Sequence, residues 1–165
     1  MQFANETHKE VFENVQTYLN ELFDEGIYFD QEAGHFYVSY GSTVIEVSVE
    51  PYGPEDAMMT IMAYCVQDVE VDDDLLRGLL ELNHRLPFGA FSLVGNDIFF
   101  SHSLLGRTLD RPNVLTAVAA VATVSDDYDD RIAERWNGER ALDRIRDTGG
   151  RSRRQAGLGA ALEDS

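Results

Sequence analysis

Residues 71–105 read VDDDLLRGLLELNHRLPFGAFSLVGNDIFFSHSLL, and this stretch decides the fold. Leu75, Leu79, Leu82 and Leu86 recur at steps of four, three and four, and Leu76 and Leu80 widen the stripe, which is the spacing of one apolar helix face. Asp72, Asp73 and Asp74 place carboxylates where the unpaired N–H groups of a helix start favour negative charge. Pro87 ends that helix, because the residue before a proline avoids the α region. Two short apolar segments follow, 88–94 and 98–104, split by Gly95-Asn96, a glycine-first pair that suits a two-residue hairpin turn. The unit predicts helix, strand, tight turn, strand.

Toward the N-terminus, Thr7-His8-Lys9-Glu10 fits a capping box, and Phe12, Val15, Leu19, Leu22 and Phe23 then share one side of a helix that Gly26 is placed to end, with Phe3 as a staple. From residue 27 the period changes to two. Phe36, Val38 and Tyr40 alternate with His35, Tyr37 and Ser39, and beyond a Gly41-Ser42 turn Val44, Glu46 and Ser48 alternate with Ile45, Val47 and Val49. Residues 58–66 predict a third strand, apolar on both faces apart from Thr60, so both faces want cover. Toward the C-terminus, Asp110-Arg111-Pro112 opens a last helix with Val114, Val118, Val121, Tyr128, Ile132 and Trp136 in register, and Gly138 is expected to end the ordered part. A short helix over 141–147 and a Gly/Ala-rich, Arg-containing tail follow, the tail read as mobile.

The elements run αβββαββα, an α+β fold with a mainly antiparallel sheet and helices packed on one face. Three helices on one face leave the other face without cover. Tyr37, Met59, Ile61 and Phe99 supply candidates for that apolar patch, and a homodimer is its simplest cover.

Leu82-Asn83, then Leu86-Pro87-Phe88-Gly89, then Phe91-Ser92-Leu93, together with the hydrophobic helix over 115–128, resemble the YbjN branch of the type III secretion chaperone-like (CesT-like) superfamily over residues 10–136. The resemblance implies a domain over 5–137, with 138–165 as the tail, and a dimer that holds extended segments of a client protein.

Composition narrows the partners. The formal charge is -17, and all of the excess acid lies before residue 137. Such a body repels nucleic acid and anionic membranes, so a client attracted by charge is basic. Cys65 is the single cysteine, which excludes an intrachain disulfide and suits a reducing cytoplasm. The start MQFANETHKEVF lacks the pattern of a signal peptide, and no apolar run reaches the length of a membrane span, so a soluble cytoplasmic protein is expected.

Chemistry is sparse. His8, His35, His84 and His102 show no metal-ligand spacing and read as polar surface or edge positions. Asp126-Asp127-Tyr128-Asp129-Asp130 lacks the glycine of a calcium loop and reads as a solvated helix end. Ser92, Ser101, Ser103 and Cys65 have no elbow or paired base, and Lys9, the only lysine, rules out a phosphate-binding G-x-x-x-x-G-K motif. Arg151-Ser152-Arg153-Arg154 is a basic patch without aromatic neighbours, better suited to docking on the acidic domain than to nucleic acid. The expectation is therefore a non-catalytic, cofactor-free protein- or peptide-binding module acting as a dimer. Its partner-binding candidates are Met58, Met62, Tyr64, Phe91, Phe99 and Phe100, and its dimer-interface candidates are Leu76, Leu79, Leu80 and Asn83. A small-ligand sensory domain, marked by a closed apolar cavity between sheet and last helix, and a structural subunit of a larger assembly are the alternatives.

Overall fold

The computed structural model describes residues 2–23, 27–40 and 43–140. The decisive stretch folds as its pattern requires. Asp72 caps helix α2 (Asp73–Arg85), its Oδ1 accepting from the Leu75 N–H at 2.7 Å, and Leu86 leaves the helix in an extended conformation ahead of Pro87. Strands β5 (Ala90–Val94) and β6 (Asp97–Leu105) then form the hairpin around Gly95, whose φ of 61° is left-handed backbone that glycine adopts without cost.

Four strands precede α2, one more than the alternation suggested: β1 (Ile27–Asp30), β2 (His35–Tyr40), β3 (Thr43–Tyr52) and β4 (Asp56–Gln67). With β5, β6 and a two-residue β7 (Glu139–Arg140), they make one sheet in the order β1-β2-β3-β4-β6-β5, every pair antiparallel, with β7 beside the end of β4. The ordered chain therefore runs past Gly138, where the sequence suggested a stop. A Cβ on Gly138 would run into the Val66 and Val69 side chains, so the close return of the chain onto β4 needs a glycine there. The Gly26 and Gly41-Ser42 expectations, the 141–147 helix and the Arg-containing tail fall outside the described residues.

Helix α1 (Glu6–Leu22) is capped two residues before the expected position: Asn5 Oδ1, not Thr7, serves as the cap and accepts from the His8 N–H at 2.8 Å. Asn5 is extended and its amide oxygen reaches the third N–H of the first turn, while Thr7 lies inside that turn. His8 is buried rather than at the surface. Its Nδ1 accepts from the Ala4 N–H and its Nε2 lies 3.0 Å from the Val49 carbonyl, so the ring bears its proton on Nε2 and ties α1 to β3. Helix α3 (Arg111–Arg135) is capped by Asp110 as expected.

Cross-strand partners share a face, and the register sorts the side chains without ambiguity. Phe29, Phe36, Val47, Ile61 and His102 form one row against the helices, and Val38, Ile45, Ala63, Phe100 and Phe91 form the next. Val15 and Leu19 of α1, Leu75 of α2, and Val118 and Val121 of α3 close over this face and are 0–1 % exposed. All three helices pack on this side, burying one face of the sheet. Among the described residues nothing covers the other face.

Candidate functional site

The helix-free face is built by the alternate residues of the same strands. Its longest row crosses six strands: Tyr28, Tyr37, Glu46, Met62, Ser101 and Ala90. Tyr64, Phe99 and Ser92 lie on one side of that row. Ser48, Thr60 and Ser103 lie on the other, followed by Glu50, Met58 and Leu105. Met58, Met62 and Tyr64 are half-buried by their neighbours and Phe99 is buried at 8 % exposure, while Tyr28 and Leu105 stand 64 % and 48 % exposed. Tyr64 and Phe99 meet edge to face with centroids 4.5 Å apart, Tyr28 stacks beside Tyr37, and the Thr60 and Ser103 hydroxyls lie 3.0 Å apart. The face is an apolar band with hydroxyl and thioether groups set into it.

One end of the band is acidic. His35 Nδ1 lies 3.2 Å from Glu46 Oε1 and its Nε2 lies 3.9 Å from Glu50. The hydrogen bond to Glu46 raises the His35 pKa above its ordinary 6.5. What this pair adds to stability is therefore full below that ordinary value and is lost as the pH climbs through the raised one.

The structure brings four of the six partner-binding candidates together: Met58, Met62, Tyr64 and Phe99. It does not bring Phe91 and Phe100, which are 5 % and 0 % exposed on the helix side with rings 4.8 Å apart. Phe99 and Phe100 are consecutive in a strand and must point to opposite faces, so at most one of them reaches a partner on either side. The dimer candidates divide in the same way. Leu76 and Leu80 are 39 % and 69 % exposed, whereas Leu79 is buried. The Asn83 amide is spent inside the chain: its Nδ2 donates to the Phe91 carbonyl at 3.0 Å and its Oδ1 accepts from the Phe91 N–H at 2.6 Å. Asn83 thus stands in for a neighbouring strand and blocks the outer edge of β5 at that residue.

No group of three or more His, Cys, Asp or Glu side chains is placed to hold a metal ion among the described residues. Burial pushes the Cys65 thiol up to about 12, with the Ser125 hydroxyl 3.4 Å away, so it is an inert core group and not a nucleophile. The acidic run on α3 is not wholly solvated: Asp129 follows Ser125 and precedes Ile132 on the inward stripe, and is buried. Burial raises its pKa from an ordinary 3.8 to about 6. The folded state binds this proton more tightly than the unfolded chain, so the group costs nothing below its ordinary pKa and destabilises increasingly as pH rises through the window up to about 6. Asp129→Asn is expected to raise stability by about 1–2 kcal/mol at neutral pH and to give no gain in acid, checked by urea unfolding of both proteins across pH.

Among the described residues an open groove of about 560 Å³ lies between α2 and the second half of α3, floored by Leu75, Leu79 and Ile132, in a different place from the cavity between sheet and last helix that a small-ligand domain would show. No helix among the described residues is long and apolar enough to cross a membrane.

Comparison with known families agrees with this architecture. The family model TY-Chap1, described as "T3SS (YopN, CesT) and YbjN peptide-binding chaperone 1", matches residues 9–144, most of the chain. No curated protein matches it.

Proposed function

The chain belongs to the TY-Chap1 family, and from that premise we propose that it is a peptide-binding module of chaperone type whose client lies across the helix-free face of the sheet. One observation carries this reading: all three helices cover one face, and the other carries Met58, Met62, Tyr64 and Leu105 in contiguous rows around the buried Phe99 ring, with no helix over them among the described residues. Contiguous apolar surface of that kind marks an interaction site. Methionines and hydroxyl-bearing residues suit a surface that accommodates more than one sequence, because thioethers repack and hydroxyls reorient. Strand β1 offers a sheet edge for main-chain pairing, whereas Asn83 obstructs the edge at β5.

The client is an extended apolar segment with basic flanks, drawn by the net charge of -17 and by Glu46 and Glu50 on the face itself. In the same reading no residue is catalytic, and the exposed Leu76 and Leu80 of α2 form the seam of a cytoplasmic homodimer.

The test is titration of fluorescent synthetic peptides, an alternating Leu-Thr centre flanked either by lysines or by glutamates, into the full chain and into Met62→Lys. The new ammonium faces its cross-strand partner Glu46, so the fold is retained while the apolar band gains a positive charge. The lysine-flanked peptide is expected to bind the parent protein and to lose about tenfold or more in affinity on Met62→Lys, at an unchanged melting temperature. Equal affinity for the two proteins refutes the placement.

A further inference from the structure

The groove between α2 and α3 carries a basic excess, three arginines against Glu81 and Glu134, where the sheet face carries Glu46 and Glu50. Lys9, Arg107, Arg111 and Arg140 are each ion-paired, with Glu13, Asp56, Glu21 and Asp130. Arg85, Arg131 and Arg135, all lining the groove, form no ion pair among the described residues, although Glu81 and Glu134 line it as well. Arg77 on α2, outside the groove, also forms none. In a chain with 30 acidic side chains against 13 basic ones, a cleft whose three unpaired guanidinium groups outnumber its two carboxylates is suited to a counter-charge from outside.

Two of the three are already oriented. The Arg131 guanidinium lies 5.6 Å from the centre of the Tyr128 ring and that of Arg135 lies 4.5 Å from the Trp136 ring. Stacking on a ring restricts the side chain and leaves the N–H edge of the plane free for a carboxylate, which lowers the ordering cost of a bidentate contact. The groove's end is fixed too: Trp136 Nε1 donates at 3.0 Å to Asp72 Oδ1, the same oxygen that caps α2, so the two helices are tied at one end.

We infer that this groove is a second docking site, separate from the sheet face, for an amphipathic segment of a partner protein that sets apolar side chains on Leu75, Leu79 and Ile132 and offers carboxylates to Arg85, Arg131 and Arg135. A cleft between two helices receives the apolar side of such a segment, and the arginines select its charge. The site goes beyond the sheet-face reading and does not depend on it.

The probe is a labelled synthetic helix-forming peptide with leucines at three- and four-residue spacing and glutamates between them, alongside the same peptide with lysines for glutamates. The glutamate peptide is expected to bind the full chain, to weaken with added salt, and to lose about tenfold or more in affinity on Arg131→Glu/Arg135→Glu. Arg131→Gln/Arg135→Gln is expected to give an intermediate loss, and melting temperatures confirm that both variants are folded. Met62→Lys leaves this affinity unchanged, which separates the groove from the sheet face. Equal binding of the two peptides, or an affinity indifferent to both arginine pairs, overturns the proposal. So does displacement of the peptide by glutarate at equal concentration, which assigns the site to a small anion. Self-association that disappears in the double variants assigns it to a second copy, with the same consequence.

Discussion

Replacing Phe100 by alanine is expected to cost about 3–5 kcal/mol, lowering the melting temperature by about 10 °C or more. The ring has 0 % exposure, lies on the helix side of the strand next to the sheet's centre, and packs on Phe91, so its removal leaves a cavity that rigid strands on either side cannot close. Phe99→Ala, one residue away on the other face, is expected to cost less, about 2 kcal/mol: the ring is 8 % exposed and packs edge to face on Tyr64, but its side of the strand carries no helix and the neighbours there can close in. The two variants also separate stability from binding. Phe99→Ala weakens client binding by the folded protein, whereas Phe100→Ala lowers the folded fraction without touching the face. Chemical denaturation of both proteins checks the pair of values. Costs that are equal for the two, or reversed, would mean that the register of β6 is not the one described.

Gly89→Ala is expected to destabilise by about 3 kcal/mol, an unusual penalty for adding one methyl group near the surface. Two causes add. The residue has φ of 71°, which costs a side-chain-bearing residue about 1–2 kcal/mol. A Cβ there would also sit 2.6 Å from Phe100 Cζ and 2.7 Å from the Ser101 carbonyl oxygen, closer than packed atoms approach. Because the Phe100 ring supplies one of the two clashes, Gly89→Ala and Phe100→Ala are expected to be less than additive when combined, and a double-mutant cycle measures the difference. Strict additivity would remove the steric part of the explanation. The Leu86-Pro87-Phe88-Gly89 segment, one of the features that resembles the family, is thus explained by local geometry: proline ends α2 and glycine lets β5 start against the core.

How much could be read in advance depends on how local the cause was. The boundaries of α2 and the β5–β6 turn followed from Asp72, Pro87 and Gly95, each acting within a few residues of itself, and the α+β arrangement followed from the two periods. Strand β1 was not separated from β2 because Ile27, Tyr28 and Phe29 are all apolar and the alternation becomes explicit only from His35, although the change of period was already placed at residue 27. Strand β7 escaped because Glu139 and Arg140 carry no pattern and owe their place to β4, over 70 residues earlier in the chain. The cap of α1 was misplaced because Thr7 and Asn5 are both good capping residues, and only the backbone at Asn5 decides between them. For the candidate site, Met58, Met62, Tyr64 and Phe99 were legible as apolar residues in excess of what three helices can hide. Phe91 and Phe100 were not separable from them until the register of β6 was known. The groove arginines were invisible as a group, since Arg85 meets Arg131 and Arg135 only when α2 and α3 pack together.

The placement of the client has a direct spectroscopic test in the chain's own methionines. There are four, Met1, Met58, Met59 and Met62; Met58 and Met62 lie on the open face, and Met59, between them, is fully buried on the other side. With the methionine methyl groups isotope-labelled, the lysine-flanked peptide is expected to shift and broaden the Met58 and Met62 signals and to leave that of Met59 in place. A saturating peptide that leaves Met58 and Met62 unmoved would contradict the account, whatever its affinity.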